Sequence, residues 1–184
     1  MTMNKIIAVI LVSVFVIALL YSYSNSEKDG DIAYNNVNTQ ECEILTPQAD
    51  LITLPMTQEN QKEYLEENKK REGVTETPSG LQYEVLTSCE SGESPVLASM
   101  VQVHYHGTTI DGNVFDSSVD RGVPTSFPLG AVIEGWQEGL QLMKVGEKFR
   151  FTIPADIAYG DTSPSPAIPA GATLIFDVEL LGIQ

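Results

Sequence analysis

Residues Phe127–Lys148 read FPLGAVIEGWQEGLQLMKVGEK. Within them Trp136, Leu140 and Met143 recur at i, i+4 and i+7, one face of a short helix bounded by Gly135 and Gly146. Outward from this helix the period changes to two. Leu81, Tyr83 and Val85 alternate with polar residues, as do Val101, Val103 and Tyr105, and Phe149, Phe151 and Ile153. Ala172–Leu181 (ATLIFDVELL) is a longer run of mostly β-forming residues. These four segments predict strands of a mainly antiparallel sheet. One short helix among several strands predicts an α+β arrangement, with the helix packed on one face of the sheet.

Three further stretches accompany the first: VHYHGTTIDGNVFDSS (Val103–Ser118), IPADIAYG (Ile153–Gly160) and IPAGATLIFDVELL (Ile168–Leu181). In this order and spacing the four closely resemble the FKBP-type peptidyl-prolyl cis-trans isomerase domain, over about Ser79 to Gln184. Upstream, ENKKREGVTETPSGLQYEVL (Glu67–Leu86) is similar to the join between helix and catalytic domain in bacterial members of the macrophage infectivity potentiator type. The fold implied is a twisted antiparallel β-sheet wrapped around one short α-helix, with an apolar hollow between them.

By that resemblance the hollow is lined by Tyr105, Phe115, Asp116, Val132, Ile133, Trp136, Tyr159, Ile168 and Phe176. Trp136 is implied to form its floor. Tyr105 is implied to hydrogen-bond Asp116, and the Tyr159 hydroxyl to donate to a substrate carbonyl. Tyr105, Phe115, Asp116 and Tyr159 are the implied catalytic residues; Val132, Ile133, Trp136, Ile168 and Phe176 are implied to hold the substrate. Periodicity alone assigns Phe115, Val132, Ile133 and Phe176 to the core. Thr125 stands where eukaryotic members often carry a second aromatic, and the loop Asp161–Ile168 is implied to overhang the site. The chemistry implied is rotation about X-Pro bonds, without cofactor or metal. The implied partners are proline-containing, unfolded or partly folded polypeptides, and macrolide inhibitors. A binding module using the same hollow without turnover is the competing class, although none of the six main pocket side chains is replaced.

His104 and His106 flank Tyr105 and face away from it on a strand. No carboxylate or cysteine completes a metal set beside them in sequence. The net charge of −15, without a basic stripe, disfavours nucleic-acid binding. Cys42 and Cys89 lack metal-ligand spacing. In an oxidising compartment they could form one disulfide; the alternative is two thiols.

Residues 1–23 hold the run IIAVILVSVFVIALL (Ile6–Leu20), preceded by Lys5 and followed by Tyr21 and Tyr23. The stretch Ile6–Tyr23 falls between a signal-peptide core of about 7–15 residues and a spanning helix of about 20. It reads as a signal-anchor that keeps the domain at an inner membrane facing the periplasm. Cleavage, leaving a soluble periplasmic protein, is the alternative. Residues 24–78 read as a linker carrying a helix over about 57–73. Thr57 is its expected N-cap, Glu66 and Lys70 an i,i+4 pair, and Lys69, Lys70 and Arg71 its last turn. This pre-domain segment is much shorter than the dimerisation region of related bacterial members, so a monomer is expected. Residues 79–184 form the implied isomerase domain.

Overall fold

A computed structural model describes residues 42–44 and 57–184. Eight strands form one antiparallel sheet: β1 (Cys42–Ile44), β2 (Val74–Glu76), β3 (Gln82–Cys89), β4 (Met100–Thr109), β5 (Val114–Ser117), β6 (Thr125–Pro128), β7 (Lys148–Ile153) and β8 (Leu174–Ile183). The order is β1-β3-β7-β8-β4-β5, with β2 also on β3 and β6 also on β4. Three helices accompany them: α1 (Gln58–Asn68), α2 (Ser118–Arg121) and α3 (Glu134–Gln141).

The inner face of the sheet follows the period-two residues. Leu81, Val101, Val103, Phe151, Ile153, Leu174, Val178 and Leu180 are fully buried. Helix α3 packs on this face through Trp136 and Leu140. Met143 lies two residues beyond its end and is still buried. Each such side chain contributes roughly 1.5–3 kcal/mol by leaving water. The approach of α3 is close: a Cβ on Gly139 would come within 2.8 Å of the Phe151 ring. The sheet therefore wraps around one short helix, as the resemblance implies.

The outer face carries polar residues, and α1 covers part of it. Asn68 Nδ2 donates to Gln82 Oε1 (2.8 Å) and Thr152 Oγ1 (3.3 Å), which are register partners on β3 and β7. Gln82 Nε2 donates to the Leu65 carbonyl and to Glu76 Oε2. Arg71 pairs with the buried Glu84, and Arg150 binds Asp177 through two hydrogen bonds of 2.6 and 2.8 Å. The apolar anchor is Tyr64, whose ring is buried.

Four sequence expectations change here. Helix α1 ends at Asn68, not near Gly73. The bonds of Asn68 and Arg71 to the sheet hold the following residues in tight i,i+3 turns, and Gly73, at φ +85°, directs the chain into β2. Lys69, Lys70 and Arg71 consequently lie at or past the C-cap. Glu66 pairs with Lys69 and Glu67 with Lys70, each three residues apart, in place of Glu66 with Lys70. Part of the expected linker forms strand β1, with Cys42 in register opposite Cys89. Cys89 is disulfide-bonded. The apolar run Ile6–Leu20 lies outside the described residues; among those described, no helix is long and apolar enough to cross a membrane.

Candidate active site

The sheet bends where β4 meets β5, with a register shift between Gly107 and Thr108. Tyr105 on β4 points inward, fixed from behind by Ser118. The Tyr105 backbone N–H donates to Ser118 Oγ at 2.8 Å, and this serine is fully buried. Ser117 caps α2 by accepting from the Asp120 N–H. Asp116, one residue earlier, accepts a hydrogen bond from the Tyr105 hydroxyl. The stretch Asp116-Ser117-Ser118 thus supplies a carboxylate, a helix cap and a backbone anchor in sequence. His104 and His106 face the other side, against Ser118 and Ser117 respectively.

Arg121 completes the network. Its guanidinium binds Asp116 and donates to the Tyr105 hydroxyl at 2.9 Å, with its carbon 5.6 Å from the Tyr105 ring centre. A lone arginine beyond the Asp-Ser-Ser stretch carries no signal of this role in the sequence. The four-residue helix α2, closed by Gly122 at φ +68°, turns it back onto the carboxylate. Burial pushes the Asp116 carboxyl up, but hydrogen bonds from Tyr105 and Arg121 and the Arg121 charge outweigh it, leaving a net downward shift. Burial, then the bond to Asp116, raises the Tyr105 phenol.

Beside this network lies a hollow of about 520 Å³. All nine expected residues line it: Tyr105, Phe115, Asp116, Val132, Ile133, Trp136, Tyr159, Ile168 and Phe176. Thr125, Phe127, Ala131, Pro164 and Ser165 also line it. Phe127 had no separate signal, being one apolar residue on the short strand β6. It packs on Trp136 with ring centres 5.5 Å apart.

The floor is an aromatic cluster. Trp136 and Phe176 meet edge to face at 5.0 Å, Tyr105 and Trp136 at 5.5 Å, and Phe115 and Phe176 at 5.2 Å. Gly107 makes this possible, since a Cβ there would come within 2.7 Å of Phe115 and 2.8 Å of Phe176. Val132 and Ile133 form the wall leading into α3, and Gln137 Nε2 donates to the Val132 carbonyl at 2.7 Å. Tyr159 is 40% exposed, so its hydroxyl can meet an incoming ligand. The 161–168 loop supplies Pro164, Ser165 and Ile168; Ser163 Oγ braces it, 2.8 Å from the carbonyls of both Ser165 and Ile168, which share its one proton.

The hollow can take an apolar ring against aromatic faces while Tyr159 and the Asp116–Arg121–Tyr105 network offer polar groups at the rim. Among the described residues, no charged side chain stands on its floor.

A profile described as FKBP-type peptidyl-prolyl cis-trans isomerase matches residues 91–181, and one for the domain amino-terminal to it matches residues 53–85. The chain is similar to the FKBP-type peptidyl-prolyl cis-trans isomerase FkpA of Aeromonas hydrophila, 55% identical over 68% of this chain and 47% of that one. It is 53% identical to the FKBP-type 22 kDa peptidyl-prolyl cis-trans isomerase of Escherichia coli, over 65% of this chain and 58% of that one. It thus spans about half the length of these curated relatives. Among solved structures it resembles FkpA from Escherichia coli, at TM-score 0.65 and 45% identity over 68% of this chain and 58% of that one. It also resembles a peptidyl-prolyl cis-trans isomerase from Pseudomonas syringae, at TM-score 0.64 and 32% identity over 68% of this chain and 92% of that one.

Proposed function

Since the chain belongs to the FKBP-type peptidyl-prolyl cis-trans isomerase family, we propose that it accelerates rotation about X-Pro bonds in proline-containing, unfolded or partly folded polypeptides. The observation that carries this reading is the aromatic hollow with Trp136 at its floor and Tyr159 and Asp116 at its rim.

The reaction makes and breaks no covalent bond. Amide resonance sets a barrier of about 18–20 kcal/mol. The two X-Pro isomers differ by only about 0.5–1 kcal/mol, so both are populated and exchange within tens to hundreds of seconds. A catalyst must favour the twisted amide over both planar forms. Twisting removes resonance and makes the carbonyl less polar, so an apolar hollow penalises the twisted form less. In this mechanism Trp136, Val132, Ile133, Phe115 and Phe176 hold the proline ring and Ile168 closes over it. Tyr159 donates to a flanking carbonyl, and the Asp116–Tyr105 pair, whose one proton is shared between them, orients the amide through its charge. Asp116 acts by position and charge, since Arg121 and Tyr105 keep it ionised. Macrolide inhibitors would compete for the same hollow.

Trp136→Leu should lower kcat/KM by about 10–100-fold on a short proline peptide. Unchanged turnover in a folded variant would remove Trp136 from the mechanism.

In this reading the apolar run Ile6–Leu20 holds the domain at the inner membrane, facing the periplasm, where it assists folding of envelope proteins as a monomer. Lys5 before the run and acidic residues after it support that orientation. The disulfide at Cys89 suits an oxidising compartment. A mature N-terminus near residue 25, or a dimer mass by light scattering, would contradict the anchor and the monomer respectively.

A further inference from the structure

The wall formed by Tyr159, Pro164, Ser165 and Ile168 belongs to a loop whose two feet meet. The Gly171 N–H donates to the Gly160 carbonyl at 2.9 Å. Beyond Gly171 the chain enters β8 at Leu174. Between them lies Thr173, whose residue is only 1% exposed and whose N–H precedes the strand. A buried backbone N–H needs a partner. It finds one outside the sheet: Gln61 Oε1 of α1 accepts it at 2.8 Å, across 112 residues of sequence. Gln61 is itself buried, at 5% exposure. One turn earlier, the Gln58 side chain lies against the face of Gly171, in space a Cβ would fill.

From this contact we infer that Gln61 is a positioning residue for the hollow. Helix α1, which touches no part of the hollow, pins the foot of the pocket loop through the Thr173 N–H and thereby sets where Ile168 and Tyr159 stand. The inference rests on the isomerase reading of the site. It assigns the pre-domain helix a part in substrate binding beyond covering the sheet. The apolar part of the wall, Pro164 and Ile168, is met by substrate in its planar and twisted forms alike, so a loosened foot raises KM more than it lowers kcat. A purely structural role predicts the reverse: partial unfolding removes active molecules, which lowers apparent kcat and leaves KM in place.

The test compares the full chain with Gln61→Met, which keeps the shape and removes the whole amide, and Gln61→Glu, which keeps an oxygen acceptor at the same reach but buries a carboxyl in place of the amide N–H. Two readouts are taken: isomerisation of a proline peptide, and hydrogen exchange of residues 160–173 against residues 100–109 as control. In Gln61→Met the loop should exchange about fivefold faster and KM rise about fivefold, with the control segment unchanged. Gln61→Glu should bring both part of the way back toward wild type. Wild-type exchange and KM in Gln61→Met would overturn the inference, as would a lowered kcat at constant KM. A wild-type protein without turnover would overturn the isomerase reading itself, a different outcome from an active wild type matched by Gln61→Met.

Discussion

Asp116 shows how a single residue is assigned its state by its neighbours. Its carboxyl is nearly half exposed, yet Tyr105 and Arg121 both bond it, and its pKa falls below the usual value. A folded-state pKa depressed in this way adds stability above the unfolded value, lost as pH falls through the folded one. Neither limit lies near neutrality, so the rate on a proline peptide should be flat between about pH 6 and 8. A clear single-proton dependence in that range would mean that a group in the hollow transfers a proton. Gly107 makes a second test at this scale. Gly107→Ala forces a methyl against Phe115 and Phe176, and should destabilise the fold by about 1–3 kcal/mol while shifting both rings. A melt indistinguishable from wild type would show that the aromatic floor relaxes freely. Arg121 illustrates what single residues withhold: its role arises from the reversal of direction in α2, which residue type alone does not encode.

At the scale of elements, α1 depends on the sheet rather than on an apolar stripe. Tyr64 is its buried ring, and that hydroxyl is one of two buried side-chain polar atoms without a partner among the described residues, the other being Trp136 Nε1. Burial pushes the Tyr64 phenol up to about 12, against the nearby charges of Arg150 and Arg71. A raised folded-state pKa gives stability that is whole below the unfolded value of 10.0 and is lost as pH rises toward the folded one. Tyr64→Phe should therefore leave stability at neutral pH unchanged or slightly higher, and flatten its decline between about pH 10 and 12. Tyr105 shifts in the same direction, so part of that decline should remain. A loss of more than about 2 kcal/mol at pH 7 would mean the hydroxyl is bonded, through water for example. Element length decides how much of the fold is legible in the sequence. Strands β3, β4, β7 and β8 alternate over six to ten residues and were legible. Strands β1, β2, β5 and β6 have three or four residues each, too short for a period, and exist because longer neighbours offer an edge. The end of α1 was misplaced because Asn68 and Arg71 are drawn to Gln82, Thr152 and Glu84, partners that local sequence does not contain.

Across the whole molecule, the nine residues expected to line the hollow come together from β4, β5, α3, β8 and the loops between them. Their assembly was foreseeable only through the resemblance, since periodicity by itself sends Phe115, Val132, Ile133 and Phe176 to an ordinary core. The β1 strand joins the sheet with Cys42 opposite Cys89, where Cys89 is disulfide-bonded and the sequence holds two cysteines. Cys89→Ser should cost about 2–4 kcal/mol of stability, read by denaturant unfolding, with little effect on the distant hollow. Two titratable thiols in unreduced protein would contradict that link. The activity proposed for the hollow is catalysis of X-Pro rotation. It is tested most directly by the relaxation rate of a short proline peptide with the protein, beside Asp116→Ala. Wild type should turn over rapidly, and the variant, melting normally, should be slower on the order of tenfold. A folded wild-type protein that leaves the uncatalysed rate untouched would contradict it, and the hollow would be a binding site alone.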